Sequence, residues 1–138
     1  MNIAFFLTPK NEVVYATLSM TIGQVLEYME NTRYTAIPII DDKGKYVGTL
    51  TEGDLLWKLK SSKKLDFDSL DGILVKDVPR NVNNKSVFID SNIEDLLNLS
   101  ANQNFVPVVD DNRTFIGIIK RSDIINYFYT TFFNKDII

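Results

Sequence analysis

The chain has 138 residues, 45% of them apolar and 24% charged, with 15 Lys and Arg against 18 Asp and Glu for a formal charge of −3, and it contains neither histidine nor cysteine. Those two absences exclude an imidazole base, Ser/His/Asp and Cys/His nucleophiles, disulfides, and His- or Cys-ligated metals. The composition is that of a globular domain, and a chain of this length buries roughly 68–70% of its unfolded surface. No stretch approaches the roughly 20 apolar residues of a membrane span. The opening Met1–Leu7 lacks the basic flank and apolar length of a secretory signal, so a cytoplasmic address with no membrane partner is expected. A pI near 4.9 without a basic tract leaves no electrostatic footprint for nucleic acid.

In chain order, Thr21–Met29 carries apolar residues at helical spacing behind a threonine cap and predicts a helix. Ile37-Pro38-Ile39-Ile40 reads as a short strand, its proline suited to a strand start or an edge. An Asp41-Asp42 turn with Lys43-Gly44 leads to a strand over Tyr46–Leu50 and a helix around Leu55–Leu59. Ser61-Ser62-Lys63-Lys64 is a polar connection, and Asp66–Leu70 a short helix leading to Val75-Lys76-Asp77-Val78. Then come a helix over Ser91–Leu99, a strand at Val106–Val109, a turn at Asp110–Arg113, a strand over Thr114–Ile119 and a helix at Ile124–Phe128.

The second list repeats the first. Tyr34–Leu59 aligns without a gap on Gln103–Phe128 at an offset of 69, with five identities (Pro38/Pro107, Asp41/Asp110, Asp42/Asp111, Gly48/Gly117, Asp54/Asp123) and eight further aliphatic or Phe/Tyr exchanges among 26 pairs. The first helices match at an offset of 71, so the second copy lacks two residues near Asn31–Tyr34. A unit of about 60 residues cannot bury its own sheet face and helix stripes, whereas two copies can cover each other. The division expected is 1–62 for the first copy and 63–138 for linker and second copy, together one domain with pseudo-twofold symmetry and two related clefts.

Aromatic-Thr35-Ala36-Ile37-Pro38-Ile39-Ile40-Asp41, the glycine turn and Val47-Gly48-Thr49-Leu50-Thr51 followed by Asp54-Leu55-Leu56, with the partner run Phe105–Asp110 and Phe115–Ile125, resembles the CBS (cystathionine-β-synthase motif) domain over roughly residues 5 to 133. The resemblance implies an α+β fold, a tandem CBS motif pair of two β-α-β-β-α units (a Bateman module), and a regulatory, non-enzymatic protein that binds adenine nucleotides in its two clefts. The likeness is greatest to stand-alone bacterial pairs that bind cyclic di-AMP and dock on a target protein, although the slot where a second arginine often follows the first holds Ser122, with Lys120 on the other side. AMP, ADP or ATP is the alternative ligand, and no cofactor or metal is implied. A homodimer is expected. A constitutive scaffold with degenerate sites, and an enzyme using Asp54 and Asp123 with a metal, are the competing readings.

By the same resemblance the main site comprises Val14, Tyr34, Thr35, Ala36, Ile118, Lys120, Arg121 and Asp123, and the second Thr49, Thr51, Asp54, Asn104 and Phe105, with Gln103 and the region of Lys85 at its margin. Thr51-x-x-Asp54 also fits a capping box with no ligand. Lys120-Arg121 breaks that pattern: two cations face the positive end of a helix dipole and lysine cannot cap, a conflict that a phosphate resolves and that side chains turned to solvent would only soften. Phe105 stands where Ala36 does in the first copy; its ring fills a base pocket in the preferred reading and stacks on a base in the other. One main ligand site per chain is therefore expected. The aromatic run Tyr127–Phe133 completes the last helix's core face or marks a partner surface, which Trp57 would share.

Overall fold

The structure, a computed structural model, describes residues 1–61, 67–81 and 83–133. Ser62, Lys63, Lys64 and Asp66 of the expected connection lie outside them. Each repeat forms the same order of elements. The first runs β2 (Ala16–Thr17), α1 (Ile22–Thr32), β3 (Ala36–Ile40), β4 (Tyr46–Thr51), α2 (Glu52–Ser61); the second runs β5 (Val87–Phe88), α3 (Ile93–Ser100), β6 (Phe105–Val109), β7 (Phe115–Lys120), α4 (Arg121–Phe133). A further strand, β1 (Thr8–Pro9), joins the second sheet. Both last helices begin three residues ahead of the apolar spacing, because their first turns, Glu52-Gly53-Asp54 and Arg121-Ser122-Asp123, are polar or small and carry no hydrophobic period.

Local chemistry fixes the boundaries. Thr21 and Gln24 form a reciprocal capping box at α1, and Asn92 Oδ1 accepts the Asp95 N–H at 2.8 Å to cap α3. In each turn only the first aspartate works: Asp41 Oδ1 accepts the N–H groups of Lys43 and Lys45, and Asp110 Oδ1 those of Asn112 and Thr114, all at 2.9 Å. The left-handed position of the turn is Gly44 (φ 81°) in one copy and Arg113 (φ 63°) in the other. Pro38 and Pro107 sit third in β3 and β6, which are inner strands rather than edges. The parallel partners β2 and β5 begin pairing only at Ile39 and Val108, so each proline has a strand on one side alone and its missing N–H breaks no ladder.

Two compact units result, residues 14–83 and residues 1–13 together with 84 onward. The first holds sheet β2-β3-β4 and a core of Ile22, Val25, Ile37, Ile39, Leu50 and Leu55; the second holds sheet β1-β7-β6-β5 and a core of Val87, Leu96, Val106, Val108, Ile119 and Ile124. These cores are the repeat made solid, with Ile37/Val106, Ile39/Val108, Leu50/Ile119 and Leu55/Ile124 at the offset of 69. Each is closed by the segment that precedes the other repeat. Ile3 and Phe6, on a 3₁₀ turn ahead of repeat one, are buried in the second core, while Val75 and Val78, ahead of repeat two, are buried in the first. Val75 N–H donates to Met20 O at 2.8 Å and Lys76 N–H to Leu18 O at 3.1 Å, stitching that segment in place. Each compact unit thus combines one repeat with the segment that leads into the other.

Strand β1 pairs antiparallel with β7, Pro9 opposite Gly117, and a Cβ on Gly117 would run into the Thr8 carbonyl. Gly117→Ala should displace this strap and cost about 1–3 kcal/mol, as overpacking does, whereas Gly72→Ala, with nothing within 4 Å, should stay within about 0.5 kcal/mol. Ile3→Ala should cost about 2–5 kcal/mol although Ile3 lies outside the repeated segments. Urea unfolding checks all three, and a near-neutral Ile3→Ala would contradict the shared core.

Candidate functional site

In both units the inner strand starts beside the point where the last strand becomes the last helix. The register places Ala36 opposite Thr51 and Phe105 opposite Lys120. One residue further out, Glu52 N–H donates to Thr35 O at 3.0 Å and Arg121 N–H to Asn104 O at 2.9 Å. The two junctions therefore share a backbone, and their side chains differ in sign.

The junction of the first repeat is satisfied from within. Thr51 N–H donates to Asp54 Oδ2 at 3.0 Å and Asp54 N–H to Thr51 Oγ1 at 3.1 Å, closing a capping box, and Asp54 Oδ1 accepts Asn81 N–H at 3.0 Å. Asp54 is only 3% exposed. Thr49, also buried, shares a 2.8 Å hydrogen bond with the Tyr46 hydroxyl, and its N–H donates to Asn83 Oδ1 at 3.3 Å. Glu52 adds a negative charge in the first turn, favoured by the dipole. Val14 packs on this unit's core, Ala36 is half-buried, and Tyr34 and Thr35 are exposed. Tyr34 and Glu52 line a cavity of about 780 Å³ with Glu27, Glu30, Arg33 and Asp71.

The junction of the second repeat is open. Lys120 takes the place of Thr51, and among the described residues Asp123 makes no hydrogen bond to it, so the box is absent and the first N–H groups of α4 have no side-chain cap. Lys120, Arg121 and Asp123 are all half-buried, and Ile118 is buried in β7. Arg121 Nη2 donates to Asn104 Oδ1 at 2.6 Å and Nη1 to Ser100 O at 3.4 Å. Arg121 and Asn104, expected in different sites, are thus neighbours in one unit, because the pairing of Phe105 with Lys120 carries them together. Phe105 is 6% exposed, its ring not presented at the surface. Gln103 is spent on the fold, its amide accepting from Lys85 N–H at 2.8 Å and donating to Lys85 O at 3.0 Å.

Sequence reasoning missed Arg80, Asn81 and Asn83: the Arg80 guanidinium donates to Val47 O in β4, Asn83 Oδ1 accepts from Thr49 N–H, and Asn81 N–H donates to Asp54 at the start of α2. The Arg80 Nε is buried without a partner among the described residues. The signal was the repeated glycine: a Cβ on Gly48 would strike Asn83 and Arg80, as one on Gly117 would strike Thr8. The aromatic run divides between its two readings. Tyr127 and Phe128 pack on the second core, Tyr127 edge-on to Phe5 and Phe6 at 5.2 and 5.3 Å, while Tyr129, Phe132 and Phe133 are exposed, as is Trp57. No helix among the described residues is long and apolar enough to cross a membrane.

The family profile described as CBS domain matches residues 6–61 and 75–130. Among curated proteins the chain is 25% identical over 121 residues to cyclic di-AMP receptor B of Bacillus subtilis, covering 84% of this chain and 78% of that protein. It is 25% identical over 148 residues to CBSX1 of Arabidopsis thaliana, covering 87% of this chain but only 61% of that protein. Among solved structures, CbpB in complex with c-di-AMP superposes with a TM-score of 0.83 at 19% identity, covering 97% of this chain and 88% of that one. CBSX2 in complex with AMP superposes with a TM-score of 0.73 at 26% identity, covering 94% and 97%.

The unequal junctions give a stability test. Asp54→Ala removes a cap and the part-buried hydrogen bond from Asn81 N–H, and should cost about 1–3 kcal/mol; Asp123→Ala should cost no more than about 0.5 kcal/mol. Denaturant unfolding at neutral pH measures both, and equal losses would mean that the second junction is closed as well.

Proposed function

This chain belongs to the CBS-domain family, and from that premise we propose that it is a regulatory protein that binds an adenine nucleotide, cyclic di-AMP, and controls a target protein by ligand-dependent docking. The observation that carries the reading is the open junction of the second repeat. There an uncapped helix N-terminus is flanked by Lys120 and Arg121, an arrangement that suits a phosphate group, while the matching place in the first repeat is capped and carries Glu52. The kinship with cyclic di-AMP receptor B supports the dinucleotide. AMP is the second reading, supported by the likeness to CBSX2 with AMP.

Lys120, Arg121 and Asp123 serve the phosphate and ribose in this reading, with Ile118 of the same unit beside them. Of the residues expected at the second site, Thr49, Thr51, Asp54 and Phe105 contribute chiefly to the fold in this reading. Regulation needs no bond-making step. A ligand that favours one arrangement of the protein changes its affinity for a target by the same factor as the target changes its affinity for the ligand. The exposed rings of Phe5, Tyr129, Phe132 and Phe133 support a homodimer or a docking face on this side.

A thermal-shift panel of AMP, ADP, ATP, S-adenosylmethionine, cyclic di-AMP and cyclic di-GMP tests the ligand. The adenine dinucleotide at 100 times its Kd should add about 2.7 kcal/mol, and stabilisation by cyclic di-GMP alone would overturn the reading. In isothermal titration Arg121→Ala should weaken binding about 10- to 100-fold, as loss of a charged hydrogen bond does, while Thr51→Ala should lower stability by about 1 kcal/mol and leave the affinity near that of the wild type. Lys120→Thr should restore the cap, raise the stability of the free protein by about 1 kcal/mol and weaken binding.

A further inference from the structure

Arg121 is held, and the hold has a particular chemistry. Its backbone N–H donates to Asn104 O at 2.9 Å, Nη2 to Asn104 Oδ1 at 2.6 Å, and Nη1 to Ser100 O at 3.4 Å. One residue, Asn104, thus grips both the main chain and the guanidinium, and the end of α3 supplies the third acceptor. None of these acceptors is charged. A carboxylate in place of the amide would neutralise the cation, whereas an amide oxygen and a peptide carbonyl fix its plane and leave its charge whole. A guanidinium has five N–H donors, so three remain for an anion.

The first repeat shows that the fold does not require this grip. Thr35 and Glu52 occupy the equivalent places, make the same backbone bond at 3.0 Å, and close the junction with no guanidinium. The side-chain bond is therefore an addition confined to the repeat whose helix start is uncapped and cationic. We infer that Asn104 is the positioning residue for Arg121: it holds the guanidinium beside the N-terminus of α4 in advance of the ligand, so that a phosphate group meets an ordered fork. A free arginine would lose most of its rotamer freedom on binding; a held one has lost it on folding. This inference rests on the phosphate-binding reading and reassigns Asn104 from a ligand contact to a support.

The test uses the full chain, Asn104→Ala and Asn104→Asp, with cyclic di-AMP as probe in isothermal titration over a salt series. Asn104→Ala should bind about tenfold more weakly with the wild-type salt dependence, because the cation remains. Asn104→Asp keeps the acceptor and shape but neutralises the charge, so it should bind at least about 30-fold more weakly, with a flatter salt dependence and a melting temperature at or above that of the wild type. Unchanged or tighter binding by Asn104→Ala, or wild-type binding by Asn104→Asp, would overturn the assignment. Nitrogen-15 spectra of the Arg121 guanidinium give a ligand-free readout: rotation about its Cζ–Nη bonds should be hindered in the wild type and free in Asn104→Ala, and equal mobility in both would also overturn it. If the wild type binds no adenine nucleotide, the functional reading fails, and the spectra with a pyrophosphate titration still decide the hold on Arg121.

Discussion

The constraint on which this molecule depends is that neither repeat closes its own core. A β-α-β-β-α unit of this size leaves one end of its hydrophobic layer open. Ile3 and Phe6 fill that end in the second unit, Val75 and Val78 in the first. Each pair precedes the repeat it does not serve, so the chain crosses over twice. Deleting or loosening either lead segment is felt in the core of the other repeat, and this binds a duplicated sequence into a single folding problem.

The crossing segments also reach the junctions, and they reach them differently. Along β4 and at the start of α2, Asn83 and Asn81 touch Thr49 and Asp54 with hydrogen bonds, so the lead segment helps close the first junction. Along β7, Thr8 and Pro9 pair with Ile118 and Gly117 and stop two residues short of Lys120. The same scaffold therefore yields one junction sealed by side chains and another whose helix start stays unsatisfied. Such a local conflict between residue and position is where a functional site is expected in an otherwise consistent sequence.

Much of this was legible beforehand. The offset of 69 identified the paired core positions because burial in two equivalent places imposes the same apolar pattern twice, and Asp41 and Asp110 repeated because each must accept two N–H groups. Lys120-Arg121 stood out since the threonine it displaces was visible in the other copy. The lead segments were illegible for a physical reason: they are short 3₁₀ turns and two-residue contacts with no period of their own, and their partners lie far along the chain, Met20 for Val75 and Ile118 for Thr8. The meeting of Asn104 with Arg121 was implied by the strand register but required the pairing of Phe105 with Lys120 to be drawn. Motif resemblance placed those two residues in separate sites.

An uncapped helix bearing two cations at its start must be held in place by something else. Losing the cap costs about 1 kcal/mol, and each cation against the dipole about 0.3–1 kcal/mol. Helix α4 compensates along its length. Ile124 is buried, and Tyr127 packs edge-on against Phe5, Phe6 and Phe128 with ring centroids 5.2–5.3 Å apart. Such ring pairs contribute about 0.5–1.5 kcal/mol each beyond their buried area, so the two that reach outside the helix, to Phe5 and Phe6, offset the conflict at the N-terminus. Arg121, donating to Ser100 O at the C-terminal end of α3, further places its charge where a helix dipole favours it. The aromatic density of the last helix and the cationic start of the same helix are thus linked: the rings that anchor its middle allow its first turn to stay open to an anion.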